Sequence, residues 1–328
     1  MVATDSHAKA QARTGAAAPA PPGKPSGALA RSVRRRRWGR LDDTPGYRAF
    51  QVFNAVALCL VVAATLVPFV NVIARSFSSE VAIRTGRVNV VPIDFNVHTY
   101  TYVLSDELFW NSYGNTIIQT AVATAIAMLL TTTYAYVLSK KHVKGRTLLI
   151  WIAVFTIFFN GGIVPTFVVV SKLQLIDTIG AIVLPNAISV FNLLVMKAFF
   201  ENLPQELEEA AQVDGLNTYG ILLRIVLPLS KAVIATMTLF YSVTYWNSWF
   251  PALLYLRDPD LQPVTIYLRN LYAAAVGGES LGAEVGDLQV TANVQAVTIV
   301  LISVPILMVY PFLQKYFVRG VLLGSVKG

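Results

Sequence analysis

The chain has 328 residues, 55% of them hydrophobic and 13% charged, with a formal net charge of +8 and a mean hydropathy of +0.57. Soluble domains carry about 25% charged residues, so the composition excludes an ordinary soluble enzyme and points to a polytopic membrane protein. The single cysteine, Cys59, excludes a disulfide within the chain, and His7, His98 and His142 are too scattered for a metal centre.

The chain opens on an Ala/Pro/Gly/Ser-rich stretch followed by Arg31, Arg34, Arg35, Arg36, Arg37 and Arg40. With no aromatic interleaving beyond Trp38, this run reads as a disordered basic cytoplasmic tail over residues 1–50, not as a nucleic-acid site. No apolar h-region directly follows the charge, so a cleaved signal peptide is not expected.

Six apolar segments follow, each long enough to cross a hydrocarbon core of about 30 Å, which takes roughly 20 helical residues. They are Val52–Ala74, Asn115–Leu138, Leu148–Val170, Ile176–Phe199, Ala232–Tyr255 and Val294–Phe317. The predicted fold is all-α, with residues 51–328 as one transmembrane domain. Lys140, Lys141, Lys144 and Arg146 lie between the second and third spans, and Lys315, Arg319 and Lys327 at or beyond the last. The bias puts both termini and the 140–147 loop in the cytoplasm. The loops Ser76–Tyr113 and Arg257–Thr291 then fall outside, where short helices or caps are expected. Gly161, Gly162 and Pro165 break the third span; such a break suits a cavity lining or close packing between helices.

Between the fourth and fifth spans lies a polar island, Glu201 to Lys231, which the even count of spans also places in the cytoplasm. Pro204 and Glu206 suit a first helical turn, and Leu207, Ala210, Ala211 and Asp214 recur at helical spacing. The pair Ala210-Ala211 makes a small-residue face that another surface can approach closely. Gly215 ends the helix in a left-handed cap, and Asn217 or Thr218 caps a second helix that Pro228 stops. An interfacial amphipathic helix pair fits this pattern, and so does a protruding elbow that another polypeptide grips.

The order of these residues goes further. Glu209-Ala210-Ala211, Gly215, Ile225 and Pro228 stand at the spacing of the EAA signature, and the chain resembles the membrane subunits of binding-protein-dependent ABC importers. From about Asn115 onward, FFNGGIVPTF (Phe158–Phe167), LPNAISVFNLLVMKAFF (Leu184–Phe200), YWNSWFPALLYLRD (Tyr245–Asp258) and FVRGVLLGSVKG (Phe317–Gly328) resemble the carbohydrate branch, MalG-like permeases and among them the LplC/YtcP-like group. Ala232 departs from the proline that many relatives carry after the lysine.

The resemblance implies a type I ABC importer fold with its core at about 112–320 and coupling helices at 201–228. It implies that Glu209, Ala210, Ala211, Asp214, Gly215, Ile225 and Pro228 couple the chain to an ATPase. The implied partners are a second, paralogous permease subunit, two ABC ATPase subunits and an extracytoplasmic solute-binding lipoprotein; the substrate is an oligosaccharide and the location the bacterial cytoplasmic membrane. The sequence contains no G-x-x-x-x-G-K-[ST] loop, so ATP and Mg are expected on the ATPase, with no cofactor or metal on this chain.

Asn160, Asn186, Asn192, Tyr241, Tyr245, Trp246, Asn247 and Trp249 are the polar and aromatic candidates for a substrate path. Amides and aromatic faces bind sugars; amides also glue membrane helices, and Trp and Tyr also form interfacial belts. An ion-coupled transporter needs ionisable groups at mid-membrane, whereas Asp177, Lys197 and Lys315 all lie near span ends.

Overall fold

The computed structural model describes residues 45–281 and 292–325, with side chains to residue 273 and again from 292 to 308. The expected tail up to residue 44 and the last three residues of the chain lie outside the described residues. The chain divides into two units, residues 1–63 and 64–328. Helix α1 (Pro45–Ser76) opens on a proline, where a missing N–H costs nothing, so residues 45–50 of the expected tail are helical. The most apolar window of α1 has none of its residues buried.

In the second unit, the short helices α2 (Glu80–Arg84) and α3 (His98–Leu104) precede the long α4 (Glu107–Ser139), capped by the Asp106 carboxylate. The buried side of α4 is a seam of small and polar residues that includes Ser112, Thr116, Ala123, Ala127, Thr131 and Ala135. Between apolar helices in lipid, such a seam lets backbones approach and lets hydroxyls bond across. Then come α5 (Arg146–Phe158) and α6 (Ile163–Lys172), and α7 (Ile179–Val183) with a single 3-10 turn leading to α8 (Val190–Glu201). The polar island forms α9 (Gln205–Val213), α10 (Thr218–Ile221), a π turn and α11 (Leu227–Leu229). The chain closes with α12 (Lys231–Trp246), α13 (Trp249–Tyr255), α14 (Val264–Leu281) and α15 (Ala292–Ser325).

Helices α4 and α12 run antiparallel through three stacked core clusters. At one end Ala135, Tyr136 and Leu138 meet Val233 and Met237; midway Ala123 and Ala127 share a cluster with Tyr241 and Tyr245. At the other end Phe109 and Trp246 pack with Val264, Leu271 and Val297. Among the described residues two single helices, α1 and α4, are long enough and apolar enough to cross a membrane. Three further candidates are bent pairs, at 118° between α5 and α6, 58° before α8 and 86° before α12.

The bends revise the straight spans of the sequence reading. The third span does break where Gly161 and Gly162 predict: Asn160 Oδ1 accepts from the Gly162 N–H (2.9 Å), and Gly162 takes φ +85°. The fourth span breaks as well, around Pro185 and Ser189, which the sequence reading passed over as continuous. The fifth stops at Trp246 and restarts as α13. The last predicted span falls within α15.

Candidate functional site

Two sites emerge at different depths. The first is the elbow. Helix α9 places Glu206 and Glu208 in its first turn, where the positive end of the helix dipole favours them. It ends in a Schellman cap: the Leu216 N–H donates to Ala211 O and the Gly215 N–H to Gln212 O, both at 3.0 Å, with Gly215 at φ +80°. Asn217 Oδ1 then accepts from the Gly220 N–H (2.8 Å) and starts α10. Pro228 does not stop this second helix. The π turn at Leu222–Val226 widens the backbone before it, helix continues through Leu229, and the chain turns at Ser230 instead.

The elbow's residues face two ways. Ala211 is buried and joins Ile221, Leu222 and Val226 in the core, with Ile225 packed beside them. Glu209, Ala210, Asp214, Gly215 and Pro228 are exposed. The expected small-residue face is therefore split: Ala211 closes onto its own chain, and Ala210 faces out beside Val213, which is 88% exposed.

Lys140 pairs with Glu208, and Arg146 with Glu201, whose carboxylate also meets Lys197 at 2.8 Å. The 140–146 loop and the elbow thus lie at one end of the bundle, together with the first core cluster. At the opposite end Asp177 Oδ1 accepts from the Asp258 N–H (3.1 Å), and the Tyr267 hydroxyl donates to Asp106 Oδ2 (2.6 Å). Burial, and then the Asp106 carboxylate, raise the Tyr267 hydroxyl's pKa far above the ordinary phenol range.

The second site is a cavity of about 800 Å³ in the middle of the unit. Its walls are the break between α5 and α6, the break before α8, the face of α12 from Phe240 to Tyr245, and Ser248 in the turn after it. Five of the expected path residues line it: Asn160, Asn186, Asn192, Tyr241 and Tyr245. The two tyrosines hold its floor. The Tyr241 hydroxyl accepts from the Ser189 N–H (2.9 Å) and shares a 2.6 Å hydrogen bond with Thr131 Oγ1; the Tyr245 hydroxyl donates to Asn186 O (3.1 Å). The hydroxyls therefore fix the break before α8, while the nearly parallel rings, 6.3 Å apart, are part of the lining. Asn192 is 4% exposed, and its side-chain amide makes no hydrogen bond among the described residues. No carboxylate, amine, guanidinium or imidazole appears among the described lining residues. A smaller pocket of about 230 Å³ shares Asn160, Asn186 and Pro251 with this cavity and reaches Tyr255.

The other three candidates lie elsewhere. Trp246 is buried edge-on against Tyr113 (6.1 Å) in the cluster with Phe109. The Asn247 amide folds back to donate to Val243 O (2.8 Å), and Trp249 packs on Phe250 (5.5 Å). Conversely, Thr156, Ser189, Phe191, Thr244 and Ser248 line the cavity without having been singled out. Pro185 inside an apolar run was the available signal for Ser189 and its break.

Comparison with known proteins bears on both sites. Residues 143–323 match the family described as binding-protein-dependent transport system inner membrane component. Protein LplC of Bacillus subtilis (strain 168) is 43% identical over 292 residues, which cover 88% of this chain and 98% of that protein. The polygalacturonan/rhamnogalacturonan transport system permease protein YtcP of the same strain is 41% identical over 265 residues, 80% of this chain and 93% of its own length. A chain in the crystal structure of a bacterial ABC transporter involved in the import of the acidic polysaccharide alginate superposes with a TM-score of 0.76 at 34% identity. The match covers 84% of this chain and 98% of that one.

Proposed function

The chain belongs to the binding-protein-dependent transport system inner membrane components, and on that premise we propose that it forms half of the translocation pore of an ATP-driven carbohydrate importer. The observation that carries the substrate class is the mid-unit cavity, whose lining is uncharged and combines amides, hydroxyls and aromatic rings. Sugars offer hydroxyl edges and apolar C–H faces, and a concave site with a few placed polar groups suits both. Carboxylates on an acidic oligosaccharide would meet amide and hydroxyl donors here, not cations.

In this reading the other half of the pore is a second, paralogous permease, an extracytoplasmic solute-binding lipoprotein delivers the sugar, and two ATPase subunits supply the energy with their own ATP and Mg. The elbow faces the cytoplasm with both termini, and Glu209, Ala210, Asp214, Gly215 and Pro228 meet the ATPase. Ala211 and Ile225 act from behind, by seating the elbow on the core. The ion pairs from the basic 140–146 loop to Glu201 and Glu208 support the cytoplasmic placement, because positive loops stay inside.

The test is uptake of fluorescent galacturonan, rhamnogalacturonan and alginate oligosaccharides by cells with and without this chain. Uptake should require the chain and an ATPase that purifies with it, and should survive a protonophore while ATP is held constant. Uptake that persists without the ATPase and collapses with the protonophore would overturn the proposal.

A further inference from the structure

Helix α9 is weakly anchored by packing, since Ala211 is its buried residue. It is joined to α8 through Asn202, Leu203 and Pro204, which form no regular helix. A helix so held can swivel at its joint, and a swivel would absorb a push from outside instead of passing it on.

Two ion pairs straddle that joint. Before it, Glu201 at the end of α8 pairs with Arg146; after it, Glu208 in α9 pairs with Lys140. The two cations flank one short connection, Lys140 directly after α4 and Arg146 at the start of α5. Lys140 is further held over the Tyr136 ring at 4.5 Å, and Arg146 Nε donates to Leu138 O at 2.6 Å, so the loop is itself locked to the last turn of α4. The Lys140 and Glu208 side chains are 19% and 15% exposed, shielded enough that salt screens them poorly.

Helix dipoles separate the two pairs. Lys140 follows a helix C-terminus and Glu208 sits in a first turn, so each also favours its own helix. Arg146 begins α5 and Glu201 ends α8, each of the wrong sign for its helix end. The dipoles therefore give no reason for Arg146 and Glu201; Glu201 also meets Lys197 within α8 and Arg146 also holds Leu138 O, and their mutual pair ties these two helix ends together.

We propose that Lys140 and Arg146 are positioning residues that strap α9 across its joint to α4 and α5, making the elbow and the cavity-bearing helices one lever. Through α4 the strap reaches Thr131 and Tyr241, and so the cavity floor. The proposal rests on the reading of the elbow as the ATPase contact.

The test uses the whole importer purified through a tag on this chain and returned to vesicles, with Cys59→Ala and a reporter, Thr244→Cys, on the exposed cavity lining. Labelling by a membrane-impermeant maleimide is followed with and without Mg-ATP and vanadate, beside ATP hydrolysis and ATPase content. Glu208→Gln and Lys140→Gln should keep the ATPase bound and hydrolysing, while the nucleotide-dependent change in labelling falls about tenfold, within the usual range of coupling between sites. The charge swap Lys140→Glu with Glu208→Lys should recover much of that change, which a merely structural loss would not. An unchanged labelling response in either single variant overturns the strap, as does a swap no better than the singles. Loss of the ATPase from Glu208→Gln also overturns it, since Glu208 would then be a docking residue. Should the parent chain hold no ATPase, the coupling reading falls and the strap with it. If the single variants fail to assemble, the swap decides by restoring assembly and response or failing to.

Discussion

Gly215 separates two kinds of cost that are usually entangled. Its φ of +80° lies in the left-handed region, and a Cβ built on it meets nothing within 4 Å. Within this chain, then, a side chain at 215 costs backbone strain but no collision. For alanine that strain is about 1–2 kcal/mol, partly offset by about 0.4–1 kcal/mol from a less flexible unfolded chain. Asparagine visits the left-handed region readily, so Gly215→Asn should stay within about 0.5 kcal/mol of the parent, as exposed substitutions usually do. Both variants add atoms at the one open point of the Schellman turn. If an ATPase surface closes on that point, both should weaken capture by more than tenfold, about 1.4 kcal/mol, although only Ala lowers stability. Gly215→Asp should do the same and add a charge. The assays are denaturation of the purified subunit in mixed micelles and titration of the ATPase onto the immobilised permease. Wild-type capture by Gly215→Asn would refute the close approach, and equal destabilisation by Asn and Ala would refute the reasoning about strain.

The cavity residues should divide by role. Tyr241→Phe leaves the Ser189 N–H without its acceptor and should cost about 1–3 kcal/mol, while the ring face and most of the uptake remain; a cycle with Thr131→Val in mixed-micelle unfolding should show non-additive losses, and additive losses would mean that the 2.6 Å bond contributes nothing. Asn192→Ala removes an amide that bonds nothing among the described residues, so it should lower oligosaccharide uptake about tenfold while the unfolding midpoint moves less than in Tyr241→Phe; unchanged uptake would remove Asn192 from the path.

Why Tyr241 and Tyr245 converge on the cavity and Trp246 does not is a matter of phase. Residues along α12 turn by about 100° each, so Tyr241 and Tyr245 share one face, with Thr244 beside it. Trp246 lies about 140° from Tyr241, while Asn247 and Trp249 fall where α12 ends and α13 begins. The sequence therefore contained the division, but the candidates were chosen by residue type along the run, not by face. The run alone could not say which face turns to the cavity, because that depends on long-range bonds from Tyr241 to Ser189 and from Tyr245 to Asn186. The same holds in the elbow. Glycine, asparagine and proline announced its turns locally, since caps are built from neighbours in sequence. Whether Ala210 or Ala211 faces out was set by where α8 delivers the chain and by how the loop from α4 grips Glu208. The straight spans misled for the same reason: an apolar run reports solubility in lipid but not direction. The break at Gly162 was announced by its glycines, and Asn160 beside it takes the freed Gly162 N–H; the break at Ser189 stays hidden in hydropathy because Tyr241 on the neighbouring α12 satisfies the freed backbone. In this chain the departures from regular helix are therefore where the function is to be sought. A straight helix satisfies its own polar groups, and only a broken one turns them toward a passing solute.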